Sequence, residues 1–135
     1  METVFNDISE GAVYVSAGRT ITETDIVNFA GLSGDFNPLH MDEEWVRENT
    51  NFPSRIAHGL LVHSIGEGLN CFELSTWKII GFLETQRKML LPVFPGDRIT
   101  QCYTVKSKRP SSKDPSRGVV EVEVTITNQR GEVVQ

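Results

Sequence analysis

Ile56-Ala-His-Gly-Leu-Leu-Val-His-Ser-Ile-Gly-Glu-Gly-Leu69 is apolar nearly all round, with glycine at 59, 66 and 68. A helix that is hydrophobic on every side belongs inside a domain, and its glycines let neighbouring backbone pass close. At ~1.5 Å per residue it spans about 20 Å, enough to cross a small domain. The rest of the chain has to supply a surface for this helix to lie on.

That surface is a sheet. C-terminal to the helix, the hydrophobic period changes from helix to strand. Trp77 to Met89 is long enough for an extended strand, bent at Gly81. Pro92-Val-Phe-Pro-Gly-Asp97 reads as a turn. Arg98 to Val105 alternates, with Ile99, Tyr103 and Val105 on one face. Val119 to Thr127 alternates more cleanly, Val120, Val122, Val124 and Ile126 opposing Glu121, Glu123 and Thr125. Asn128 to Gly131 signals a hairpin, and Glu132 to Gln135 begins a further strand that is short or truncated.

N-terminal to the helix, Val13 to Ile21 is β-rich enough for a first strand. Thr22 then caps a helix, with Asp25 reaching back, and Ile26, Phe29 and Ala30 supply its buried stripe. Gly31 and Gly34 end it. Helices early and antiparallel strands late define an α+β class, with the buried helix on one face of the sheet.

The bulk properties bound the function. A chain of 135 residues suits one domain, residues 1–135, and 39% hydrophobic with 23% charged residues is ordinary globular composition. A net charge of -5 speaks against a general nucleic-acid surface. No apolar run approaches the ~20 residues of a membrane span. The N-terminus lacks the basic start and apolar core of a signal peptide. Cys71 and Cys102, without Cys-x-x-Cys spacing, read as free thiols in a reducing cytosol. A soluble cytoplasmic domain is expected, with neither nucleic acid nor membrane as partner.

The chemistry gathers just before the central helix, in Ser33-Gly-Asp-Phe-Asn-Pro-Leu-His-Met-Asp42. Pro38 fixes its own φ and pushes Asn37 toward extended geometry, and Asn37 can satisfy nearby backbone amides. A loop so stiffened holds Asp35 and His40 in fixed relative positions, as acid–base chemistry requires. The same residues also suit a plain capped turn with His40 packed at its edge. Asp42 caps the next helix, whose first turn carries Glu43 and Glu44.

Other chemistries have less support. His58 and His63 sit five apart, roughly 140° around a helix, so they face different ways and do not form a metal pair. His58 reads as fixing the helix start, and His63 as a hydrogen-bonded core or interface residue. Ser64 lacks a Gly-x-Ser-x-Gly elbow, and no phosphate-cradling glycine loop is present. Lys106, Lys108, Arg109, Lys113 and Arg117 crowd one polar connection. That connection is either a solvated loop or a basic patch for an anionic partner such as a coenzyme A phosphate or an acidic carrier protein.

Phe29-Ala-Gly-Leu-Ser-Gly-Asp-Phe-Asn-Pro-Leu-His40 resembles the hydratase motif of the MaoC-like, R-specific enoyl-CoA hydratases, complete through Gly-Asp-x-Asn-Pro-Leu-His. Arg55-Ile-Ala-His-Gly-Leu-Leu61 and Leu91-Pro-Val-Phe-Pro-Gly-Asp97 resemble two further blocks of that family, in its order. The resemblance implies a hot-dog fold, a central helix wrapped by an antiparallel sheet, paired into a homodimer. It implies a hydro-lyase interconverting trans-2-enoyl and (R)-3-hydroxyacyl thioesters of coenzyme A or acyl carrier protein, with no cofactor and no metal.

On that resemblance Asp35 and His40 are the catalytic pair and Asn37 and Pro38 shape their loop. The Gly59 N–H polarises the thioester carbonyl, while His58, Leu60, His63 and Ser64 are pocket candidates. Val46 and Glu67 depart from the small or polar residues common at their positions, which leaves the acyl chain open. A non-catalytic acyl-thioester-binding subunit, or a thioesterase on the same fold, are the alternatives.

Overall fold

Alternation along one strand puts Ile99, Gln101, Tyr103 and Val105 on a single face, and all four are buried. The computed structural model describes residues 1–69 and 71–135. In chain order, a 3₁₀ turn (Phe5–Asp7) precedes β1 (Val13–Val15), β2 (Arg19–Thr20), α1 (Glu23–Ser33), α2 (Pro38–Met41) and α3 (Glu43–Asn49). Then come α4 (Gly59–Gly68), α5 (Phe72–Ser75), β3 (Arg98–Pro110) and β4 (Gly118–Thr127). The order and class match the α+β expectation.

β3 is the spine of the sheet. β4 pairs antiparallel along one edge, from Thr100 opposite Thr127 to Pro110 opposite Gly118, with a register shift between Val105 and Ser107. β1 and β2 share the other edge, also antiparallel. The single strand expected from Val13 to Ile21 is therefore two short ones. The break has a local cause at Ser16, whose Oγ accepts the Gln101 N–H at 2.8 Å where a main-chain carbonyl would continue the ladder. Two residues on, a Cβ at Gly18 would lie within 2.0 Å of the Arg98 guanidinium carbon, so the chain crosses that side chain without one of its own.

α4 lies on the buried face of β3 and β4. Gly66 makes the approach possible, since a Cβ there would fall 2.3 Å from Gln101 Oε1 and 2.7 Å from Ile126 Cδ1. The Tyr103 hydroxyl donates to the Gly66 carbonyl at 3.3 Å. Burial pushes the Tyr103 phenol above its ordinary value. Leu61 and Val62 join Ile21, Ile26, Ile99, Ile126 and Val134 in the core. Burying each such side chain contributes roughly 1.5–3 kcal/mol.

Two features of the helix differ from expectation. It begins at Gly59 rather than Ile56, because the N–H groups of Ile56 and Ala57 pair with Leu39 and Val93 carbonyls, at 3.3 and 2.7 Å, leaving 56–58 as an extended strap. It is also not buried on every side, for Leu60, Ser64 and Glu67 are exposed.

Trp77 to Met89 forms no strand. The segment is tied at its start by Lys78 N–H to the Thr3 carbonyl (2.9 Å) and beyond its end by Leu90 N–H to the Val134 carbonyl (2.9 Å). Ile79, Ile80, Phe82 and Leu83 between them are each 70% exposed or more. Strand propensity needs a neighbour to pair with, and beyond a single parallel bridge from Trp77 to Thr3 the described residues provide none for this segment.

The hairpin at Asn128 to Gly131 is formed, with Gly131 at φ 78°. The Val134 N–H then donates to the Ile126 carbonyl at 2.8 Å. Cys71 and Cys102 are free thiols. None of the described helices is long and apolar enough to cross a membrane.

Candidate active site

The site is assembled by three local caps. Thr22 Oγ1 accepts the Asp25 N–H at 3.1 Å while Asp25 returns a bond to the Thr22 N–H at 2.8 Å, starting α1. The helix passes through Gly31 and ends at Gly34, at φ 78°, where a residue with a Cβ would be strained. Asn37 Oδ1 accepts the Leu39 N–H at 2.9 Å and Pro38 takes the first helical position, so His40 stands on a short helix rather than in an open loop. Asp42 Oδ1 accepts the Trp45 N–H at 3.0 Å and starts α3.

Asp35 is held on both sides. Its N–H donates to Ser33 Oγ at 3.2 Å, and its Oδ1 accepts the Asn37 N–H at 3.2 Å. Oδ2 is left facing His40 Nε2 at 3.9 Å. The carboxylate is half exposed, at 52%, whereas the imidazole is 11% exposed. His40 Nδ1 lies 2.7 Å from the Ile56 carbonyl. A carbonyl only accepts, so Nδ1 carries a proton, and in the neutral form of the ring it is Nε2 that is left bare toward Asp35. The pair can take a proton from a group placed between them.

His58 closes the arrangement from beneath. Its ring stacks on that of His40, with centroids 3.8 Å apart and planes inclined by 27°. Gly59 follows as the first residue of α4, so its N–H has no acceptor within the helix. The described hydrogen bonds give it none elsewhere. Together with Phe29, Ser33 and Leu60, the residues Asp35, His40, His58 and Gly59 line one open cavity of about 180 Å³. Acid, imidazole and helix N-terminus thus share one space.

His63 and Ser64 do not line it. Ser64 Oγ donates to the Leu60 carbonyl at 2.7 Å. His63 has a buried Nδ1 without a partner among the described residues. Burial lowers its basicity, the Arg87 cation lowers it further, and Glu67 opposes both. Arg87 itself pairs with Glu67 at 2.7 Å.

Asp35, His40 and His58 do bring ligand-type atoms within 4.8 Å of one another. His40 Nδ1 and His58 Nε2, however, each face a main-chain carbonyl, at 2.7 and 2.9 Å, and His58 Nδ1 is buried. That leaves a cation only His40 Nε2 and the Asp35 carboxylate.

The basic connection is largely occupied. Lys108 Nζ donates to the carbonyls of Phe5, Asn6 and Ile8, at 3.2, 3.3 and 2.7 Å, and lies over the Phe5 ring. Lys106 faces Glu123 at 3.7 Å and Arg117 faces Asp114 at 3.3 Å. Lys108 is a clasp on the N-terminal turn.

Residue patterns did not single out Ser33 or Phe29 as site residues. Ser33 had a readable signal, a hydroxyl two residues before Asp35, the spacing of a side-chain turn. Phe29 had none beyond its place on the apolar stripe of α1.

Comparison with known proteins places this arrangement. Residues 5–128 match the family described as MaoC like domain. The (R)-specific enoyl-CoA hydratase of Rhodospirillum rubrum is 38% identical over 109 residues, spanning 81% of this chain and 74% of that protein. The (R)-hydratase of Aeromonas caviae superposes with a TM-score of 0.76 at 28% identity, covering 94% of this chain and 90% of that one. A Mycobacterium tuberculosis protein with a double hotdog fold superposes with a TM-score of 0.82, over 98% of this chain and 41% of that one. At 22% identity it speaks for the fold alone. The chain is a hot-dog domain, and it belongs to the MaoC-like domain family.

Proposed function

We propose that this protein is a hydro-lyase that interconverts a trans-2-enoyl thioester and the (R)-3-hydroxyacyl thioester. The observation that carries the reading is the shared cavity, in which the Asp35 carboxylate and His40 Nε2 stand 3.9 Å apart beside the Gly59 N–H. Named relatives that are (R)-specific enoyl-CoA hydratases support it.

The chemistry follows from the groups. One water directs an O–H toward His40 Nε2 and another toward the Asp35 carboxylate. Its oxygen bonds to C3 as the C2=C3 π pair shifts toward the thioester carbonyl. The Gly59 N–H, at the positive end of α4, stabilises the charge that develops on that oxygen. The proton taken by His40 then returns to C2, and the site ends as it began. Dehydration runs the same steps backward. Neither metal nor redox cofactor enters the scheme.

The single chain leaves the acyl side open. Leu60 is 61% exposed at the cavity, and Met89 lies close to Gly59 at the end of a segment whose two apolar runs, Ile79 to Leu83 and Met89 to Leu91, are exposed and have no strand partner among the described residues. A second copy pairing along this stretch would cover that surface and close the pocket, so we assign a homodimer acting in the cytoplasm on coenzyme A or carrier-protein thioesters.

The test is hydration of crotonyl-CoA and longer enoyl-CoAs, followed at the enoyl-thioester ultraviolet band, for the wild type and for Asp35→Asn and His40→Ala. Undiminished turnover in both variants would remove this site from the reaction.

A further inference from the structure

His58 is 3% exposed, yet it is an imidazole where a phenyl ring would fill the same space. Its Nε2 lies 2.9 Å from the Asp35 main-chain carbonyl. Since that carbonyl only accepts, Nε2 carries a proton, and Nδ1 is buried without a partner among the described residues. A buried polar atom left unmatched is unfavourable, so the ring is an expensive filler unless its other nitrogen contributes. What it contributes is the bond to Asp35, 23 residues away in the chain.

The ring face contributes a second contact, the stack on His40 at 3.8 Å, while Phe29 stands 5.0 Å from the His58 ring. The main chain around His58 adds two more links. Two residues before it, the Ile56 carbonyl holds His40 Nδ1. One residue after it comes Gly59, the thioester donor of the proposed reaction.

We propose that His58 is a positioning residue for the reaction, fixing the Asp35 main chain through Nε2–H and the His40 ring through its face. Resting on the hydro-lyase reading above, this sets the water-activating pair and the Gly59 N–H from one point at the start of α4. His58 lines the cavity with no polar atom free for the substrate, because its Nε2 is engaged and its Nδ1 is buried, so it acts through its neighbours. Catalysis of this kind is sensitive to geometry, since a misplacement of about 1 Å can cost roughly 10²-fold in rate.

Two variants separate the two contacts. His58→Phe keeps a ring against His40 and deletes the donor, and His58→Gln keeps a donor and deletes the stack. The wild type and both variants are measured for kcat and KM with crotonyl-CoA and for melting temperature. Imidazole nitrogens are read by long-range ¹H–¹⁵N correlation, which is uncrowded because the chain has three histidines.

In the wild type, His58 shows the Nε2–H tautomer. In His58→Phe, kcat falls about 10–10²-fold with KM nearly unchanged, the Asp35 amide and His40 ring signals move, and His58→Gln recovers part of the loss. An Nδ1–H tautomer for His58 overturns the inference, as does wild-type kcat in His58→Phe. A raised KM at constant kcat overturns it too, by making His58 a substrate contact. If the wild type turns over no thioester, the hydro-lyase reading fails on its own, and the positional claim is decided by the spectra. Unmoved Asp35 and His40 signals in His58→Phe then overturn it, and displaced ones sustain it.

Discussion

Asp35 Oδ2 stands 3.9 Å from His40 Nε2, too far for a direct hydrogen bond and close enough for one water to reach both. Each group is fixed by its own neighbour, Asp35 through Asn37 and Ser33, His40 through the Ile56 carbonyl. The spacing is therefore a property of the scaffold, independent of any attraction between the two side chains.

Removing either partner tests this division. Asp35→Asn keeps the shape and removes the charge, and His40→Ala removes the proton carrier. Each is expected to lower kcat by about 10²–10⁴-fold, the usual range for general acid–base catalysis, with smaller changes in KM. Steady-state hydration of crotonyl-CoA provides the comparison.

The Gly59 N–H, the proposed oxyanion donor, can be deleted almost alone. Proline is favoured at the first position of a helix, and His58 already has the extended ψ, 134°, that a residue before proline adopts. Gly59→Pro is expected to lose about 10²–10³-fold in kcat through the missing N–H. Gly59→Ala keeps the N–H, but its Cβ meets Met89 at 3.0 Å, so only that flexible side chain has to shift. Alanine retaining most of the activity that proline loses would isolate the donor; equal losses would point to crowding.

Asp97 links the turn before β3 to the last hairpin, accepting from Phe94 N–H, Gln129 and Arg130 at 3.0, 2.6 and 3.2 Å. Burial pushes its carboxyl up, but those three donors outweigh it and hold the group below its ordinary 3.8. A folded-state value below the unfolded one gives stability that is complete above the unfolded value and lost as pH falls through the folded one. Asp97→Asn should cost about 1.5–3 kcal/mol at neutral pH, the range for hydrogen bonds to a charged group. Urea midpoints for the two proteins should approach each other as pH falls below 3.8 and through the folded-state value, and a constant gap would contradict the linkage.

His63 works in the same direction at higher pH. Burial first, then the Arg87 cation, hold it below its ordinary 6.5 despite Glu67. Folding favours its neutral form, so its contribution is complete above 6.5 and declines as pH falls through the folded-state value. Melting temperature should fall between neutral pH and pH 5, and His63→Gln should flatten that part of the profile. An unchanged slope in the variant would assign the decline to other groups.

The exposed apolar run from Ile79 to Leu83 bears on assembly. Leu83, an apolar side chain, is 76% exposed. Leu83→Lys is expected to weaken the homodimer, lowering the mass measured by sedimentation or light scattering and reducing activity at low protein concentration. A monomeric wild type would end the dimer reading.

Residues close in sequence determined much of this protein without its fold. The caps at Thr22, Asn37 and Asp42 are legible because each is a side chain bonding to an amide two or three residues away. Alternation in β3 and β4 and the hairpin at Asn128 are local patterns too, and Asn37-Pro38 starts the short helix that carries His40. Contacts across the chain were decided only by tertiary structure. His58 meets Asp35 and His40 because the strap from Ile56 pairs with Leu39 and Val93, which no spacing reveals. Ser16 interrupts a β-rich run because its hydroxyl reaches Gln101. Trp77 to Met89 has the composition of a strand and pairs only at Trp77, through one bridge to Thr3, because propensity belongs to the segment and pairing belongs to its neighbours.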